Sequence, residues 1–125
     1  MSAQTERRKF SRYQVPGGAL YVFDHLSTRV GWINDISRGG LSFEYILGQD
    51  AEIEPEVIDI FSYRYDQFYL PAVSCKLIYA GRTADQSSTN GRLDTVHCGL
   101  QFGALSDEQS NKMDALIVDH LMPSA

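Results

Sequence analysis

The sequence is short of what metal, redox and membrane chemistry require. It has only two cysteines, Cys75 and Cys98, both in apolar alternating segments and without CxxC or Cys/His ligand spacing. Neither zinc binding nor thioredoxin-like chemistry is suggested by that spacing. Buried, reduced thiols are expected, with a bridge between neighbouring strands as the alternative. No apolar run approaches the roughly 20 residues that span a bilayer. Met1 to Arg12 lacks the hydrophobic stretch of a signal peptide, so a cytoplasmic location is expected. GxSxG, SxxK and GxxxxGK[ST] patterns are missing, and His25, His97 and His120 stand far apart. No catalytic residue or metal ligand is therefore nominated, and a non-enzyme is expected.

What is present is an ordinary globular composition of 125 residues, 43% hydrophobic and 22% charged. That length suits one domain able to bury roughly two-thirds of its unfolded surface. The net charge is −5, but Arg7, Arg8, Lys9 and Arg12 put +4 into one short segment, which leaves −9 for the remainder. A basic arm precedes an acidic body. Val15-Pro16-Gly17-Gly18 then punctuates the chain, so residues 1–14 are expected to form a flexible arm and residues 15–125 the folded domain.

Beyond that point the apolar period is mostly 2, the spacing of half-buried strands. Six strands are predicted: Gly18 to Asp24, Arg29 to Ile36, Gly40 to Ile46, Val57 to Tyr63, Tyr69 to Tyr79 and Leu93 to Phe102. Trp32 sits mid-strand and is expected in the core. Leu47 to Glu56, with acids at Asp50, Glu52, Glu54 and Glu56, reads as a solvated loop. The polar stretch Gly81 to Arg92 reads as a mobile hairpin loop. Six short strands with short connections suggest an antiparallel barrel, since closure removes exposed edges.

The last segment changes period. Ser106 and Gln109 have the form of a capping box, and Met113, Leu116, Ile117 and Leu121 make one apolar stripe along a helix. That stripe is expected to lie across an end of the barrel or in a partner's groove. The fold class is thus mainly β, a six-stranded antiparallel barrel with a C-terminal α-helix.

Two segments carry candidate binding chemistry. In Arg7-Arg8-Lys9-Phe10-Ser11-Arg12, guanidiniums four residues apart could grip a phosphate, or the acceptor edge of guanine, from several directions. In Asp35-Ile36-Ser37-Arg38-Gly39-Gly40, period 2 places Asp35 and Ser37 on the face opposite Ile36. A carboxylate accepts from the N–H edge of guanine, and a hydroxyl can donate to phosphate. Gly39 and Gly40 allow a positive φ or a close backbone approach. A solvated basic tail and a capped hairpin turn would account for either segment alone.

Together, Arg8-xxx-Arg12 and Asp35-x-Ser37-x-x-Gly40 at the head of a small β-barrel resemble the PilZ family, bacterial receptors for cyclic di-GMP. The family's RxxxR and [D/N]xSxxG segments are both complete here, and Cys98-Gly99-Leu100-Gln101-Phe102 also looks like the family pattern. The resemblance implies a six-stranded PilZ-like β-barrel and a ligand site built from Arg7, Arg8, Arg12, Asp35, Ser37, Gly39 and Gly40. An arginine in the position of Arg7 is associated in such proteins with two intercalated ligand molecules. The implied function is a cyclic di-GMP receptor, without cofactor or metal, that orders its arm on binding and signals through a protein partner. A ligand-independent PilZ-like interaction module is the alternative. Contact with nucleic-acid polymers is disfavoured by the acidic body.

Overall fold

The period-2 segments pair into one antiparallel ladder that closes on itself. The computed structural model describes residues 10–48, 52–84 and 94–123. Along them run β1 (Tyr13–Gln14), β2 (Tyr21–Asp24), β3 (Val30–Ile36), β4 (Gly40–Ile46), β5 (Val57–Phe61), β6 (Tyr69–Ala84), β7 (Asp94–Phe102), α1 (Asp107–His120) and β8 (Met122–Pro123). The strand order is β2-β5-β6-β7-β4-β3, and β3 pairs back onto β2. Six strands therefore form a closed barrel. β1 continues from the far end of β3, and β8 pairs with β1.

Each barrel strand sends alternate side chains inward. Val22, Ile33, Ile36, Leu41, Phe43, Tyr45, Ile58, Ile60, Val73, Val96, Cys98 and Leu100 are all buried in one cluster. α1 closes the end of the barrel that carries the β3–β4 turn. Its N-terminus is the expected capping box: Ser106 Oγ accepts from the Gln109 amide at 3.0 Å, and Gln109 Oε1 accepts from the Ser106 amide at 2.9 Å. Such a cap satisfies amides that the first helical turn leaves without partners. Met113, Leu116, Ile117 and Leu121 then enter the common core, and Gln109 Nε2 donates to the carbonyls of Pro71 and Ala72.

Several details depart from the sequence reading. Trp32 is only half-buried, because Gly31 and Ile33 take the inward positions of β3. A bulge between Ile33 and Asp35 then resets the phase, so that Ile36 also points inward. β6 continues past Tyr79 to Ala84, held by pairing with Asp94–His97 of β7. A partner strand outweighs the polar composition that suggested a loop there. The remainder of that expected loop, residues 85–93, lies outside the described residues. Leu47 and Ile53 of the presumed solvated loop are buried, and Tyr45 Oη accepts from the Ile53 amide at 2.9 Å. The body also begins earlier than composition suggested, since Tyr13–Gln14 is a strand. Finally, Cys98 lies opposite Ala80 while Cys75 lies opposite Phe102. That offset along β7 separates them by about 13 Å, beyond the roughly 7 Å that a disulfide tolerates. Both are free thiols, Cys98 buried as expected and Cys75 only half-buried.

Candidate functional site

The two sequence motifs meet because of how β1 pairs. Tyr13 lies opposite Ile36 and Gln14 opposite Asp35, and the Val15 amide donates to the Asn34 carbonyl at 2.9 Å. This antiparallel run carries the preceding residue, Arg12, up to the β3–β4 turn. There Arg12 Nη2 donates to Asp35 Oδ1 at 3.1 Å. The pair sits at the rim, with side-chain exposures of 37% for Arg12 and 20% for Asp35.

The turn between β3 and β4 is tied by its own residues. The Ser37 amide donates to the Gly40 carbonyl at 2.8 Å, and Ser37 Oγ accepts from the Gly39 amide at 3.1 Å. Gly40 is required for close approach, since a Cβ there would lie 2.1 Å from the Leu100 carbonyl oxygen. At Gly39 a Cβ would meet the ring of Phe10 at 2.7 Å. Neither glycine has a positive φ, so close approach is the reason for both. Arg38 turns away from this surface. Its Nε donates to Asp114 Oδ1 on α1, and that hydrogen bond raises the guanidinium's pKa further, with smaller help from Tyr13.

An open pocket of about 500 Å³ results, within the range of ligand-binding clefts. Phe10, Arg12, Asp35, Ser37, Gly39 and Gly40 line one side, and Ile78, Tyr79, Gly99, Leu100 and Gln101 of β6 and β7 line the other. Five of the seven expected site residues, Arg12, Asp35, Ser37, Gly39 and Gly40, thus share one cavity. Arg7 and Arg8 lie outside the described residues.

Sequence reasoning missed the far wall and Phe10. The Tyr79 ring lies against Gly99, where a Cβ would fall 2.1 Å from Tyr79 Cε2, and it stacks on His97 with centroids 5.7 Å apart. Behind it, His97 Nδ1 is 3.2 Å from Glu44 Oε2, which also accepts from Asn34 Nδ2 at 3.1 Å. The signal for Tyr79 was faint, because a bulge between Leu77 and Tyr79 breaks the phase of β6. Gly99 was visible as a glycine inside an apolar strand, which marks close approach. Phe10 supplies the arm segment with the apolar anchor that composition hid. Ser42, outward on β4 between Asp35 and Gly99, is 1% exposed, and its Oγ has no hydrogen-bond partner.

The pocket therefore offers guanidinium donors, a carboxylate acceptor, close-packed glycine backbone and two aromatic faces. Among the described residues no group of His, Cys, Asp and Glu could hold a metal, and no helix is long and apolar enough to cross a membrane.

A family model for the PilZ domain matches residues 6–119. The chain belongs to the PilZ domain family. Solved structures agree on the fold. The PilZ domain with c-di-GMP of YcgR from Escherichia coli superposes with a TM-score of 0.67 at 16% identity, covering 90% of this chain and 89% of that one. MrkH, described as a c-di-GMP-dependent transcription regulatory factor, gives 0.64 at 12% identity, over 90% of this chain and 50% of its own. The MrkH–c-di-GMP complex of K. pneumonia gives 0.65 at 13% identity, over 90% and 51%. This PilZ chain thus spans about half the length of the MrkH chains. A comparison with curated proteins finds no match.

Proposed function

We propose that this PilZ protein is a non-enzymatic, cytoplasmic receptor for cyclic di-GMP, bound in the pocket between the β3–β4 turn and Tyr79. The observation that carries the reading is the convergence of Arg12, Asp35, Ser37, Gly39 and Gly40 on one cavity, in a family whose superposable members include structures holding c-di-GMP. The chemistry fits residue by residue. Arg12, joined by Arg8, would donate in pairs to phosphate oxygens and to the O6/N7 edge of guanine. Asp35 would accept from the N–H edge of guanine, while the turn at Ser37 and Gly40 forms a floor against base and phosphate.

The arm is the moving part in this reading. Charge-assisted hydrogen bonds contribute roughly 1.5–3 kcal/mol each, against about 1–2 kcal/mol for fixing each backbone residue. Several arginine contacts are needed to hold Arg7 to Arg12 over the ligand. Arg7 adds a guanidinium that suits a second, intercalated ligand molecule. Closure of the arm would create or hide a surface for a protein partner, an order–disorder change driven by differential binding.

Chemical-shift mapping with cyclic di-GMP tests the site. Perturbed amides at Arg12, Asp35, Ser37, Gly39, Gly40 and Tyr79 are expected, together with increased exchange protection before Phe10. Shifts confined to another face would overturn the assignment.

A further inference from the structure

The outer surface of the barrel carries a second feature that the nucleotide pocket does not use. Across four strands, Trp32 of β3, Tyr21 of β2, Phe61 of β5 and Tyr69 of β6 stand directly opposite one another. Beside this row runs a second one, Val30, Phe23 and Asp59. Tyr21 and Phe61 stack with centroids 5.4 Å apart, and Phe61 meets Tyr63 edge-on at 5.9 Å. The core does not need these rings, because the same strands already bury Val22, Ile33, Ile58, Ile60 and Leu70 on their inner faces. Tyr63 is 83% exposed, Tyr69 52% and Val30 50%. A contiguous aromatic surface of this kind marks an interaction site in a soluble domain.

The surface is also concave, and the one charged residue in its lining is a carboxylate, Asp59. A cavity of about 520 Å³ is lined by Phe23, Asp59, Phe61, Tyr63, Phe68 and Tyr69, and neither lysine nor arginine is among its lining residues. Asp59 is held at its edge by His25 Nε2 at 2.7 Å, by the Ala72 amide at 2.9 Å and by Tyr69 Oη at 3.3 Å. Aromatic faces around a fixed carboxylate attract a cation, and a guanidinium can stack on a ring while reaching the carboxylate. Stacked nucleic-acid bases would instead need a positive groove for their backbone. No such groove lines this cavity: its one charged lining residue is the carboxylate of Asp59, and the chain as a whole carries a net charge of −5.

We propose that this aromatic face is the docking surface for a polypeptide partner that inserts an arginine side chain, flanked by apolar residues, between Tyr63, Phe61 and Asp59. The surface is separate from the nucleotide pocket, and the proposal stands whether or not that pocket takes cyclic di-GMP. β3 runs through both, with Trp32 in the aromatic row and Asp35 three residues later at the pocket.

The test is an NMR titration of the full chain with an acetylated, amidated Leu-Leu-Arg-Leu-Leu peptide, compared with the same peptide carrying citrulline, the neutral isostere of arginine. Saturating shifts at Phe23, Asp59, Phe61 and Tyr69 are expected. Binding of the citrulline peptide should be weaker by about five-fold or more. Tyr63→Ala, at an exposed position that leaves the core intact, should weaken the arginine peptide about two- to five-fold, and Asp59→Asn should erase its advantage over citrulline. Equal binding of the two peptides, shifts elsewhere, preference for a single-stranded oligonucleotide, or self-association of the protein through these residues would each overturn the proposal.

Discussion

Arg12 and Asp35, 23 residues apart in sequence, meet with Nη2 and Oδ1 at 3.1 Å, and that contact joins two motifs into one site. Because both side chains reach the rim, the pair is screened and worth about 0–1 kcal/mol to folding. It orients the guanidinium and carboxylate more than it stabilises the barrel. Arg12→Ala should therefore leave the urea midpoint almost unchanged, within about 1 kcal/mol. A large loss of stability would mean that the pair belongs to the scaffold and not to a ligand site.

Gly40 makes the opposite case. The atom that a Cβ would meet is the backbone oxygen of Leu100, at 2.1 Å, and a backbone carbonyl cannot swing aside. Gly40→Ala should force β4 from β7 and cost about 1–3 kcal/mol, as overpacking does. Gly39→Ala meets only the Phe10 ring, so denaturant unfolding should show a smaller loss.

Burial pushes both thiols up to about 11, helped at Cys75 by Asp24 and Glu56 and at Cys98 by Glu52. At pH 8 the native protein should react slowly with iodoacetamide, and fully only once unfolded. The folded state resists forming thiolates that the unfolded chain forms near pH 8.5. Stability is thus full below that pH and declines as pH rises from there towards about 11. Rapid labelling of Cys98 in the native state would contradict its burial.

Asp59 contributes to stability on the acid side. Burial alone would raise its pKa, but the Ala72 amide, His25 and the Tyr69 hydroxyl together outweigh burial and hold it below the ordinary carboxylate value. It sits opposite the irregular stretch of β6 where Ala72 adopts a φ of 54°. A depressed carboxyl stabilises the fold above its unfolded value of about 3.9, and that contribution is lost as pH falls through the folded value. Asp59→Asn should lower stability near neutral pH by about 1 kcal/mol and flatten the acid limb of the urea-midpoint profile. An unchanged limb would count against this role.

Much of this architecture was legible because period 2 and burial are the same fact in a barrel. Leu41, Phe43 and Tyr45 alternate in the sequence and point inward together. The placement of Asp35 and Ser37 opposite Ile36 followed from the same rule. What local patterns could not carry was phase across bulges and pairing at long range. The bulge after Ile33 sent Trp32 outward, and the one after Leu77 hid the pocket wall at Tyr79. β1 and β8 have two residues each and exist only because each finds a partner.

The most direct test is isothermal titration calorimetry with cyclic di-GMP on the native chain and on Arg12→Ala and Asp35→Ala. Saturable binding by the native protein is expected, with a loss of about ten-fold or more in affinity for each variant and little response to the adenine cyclic dinucleotide. A flat titration of the native protein, or variants that bind as it does, would contradict the receptor assignment.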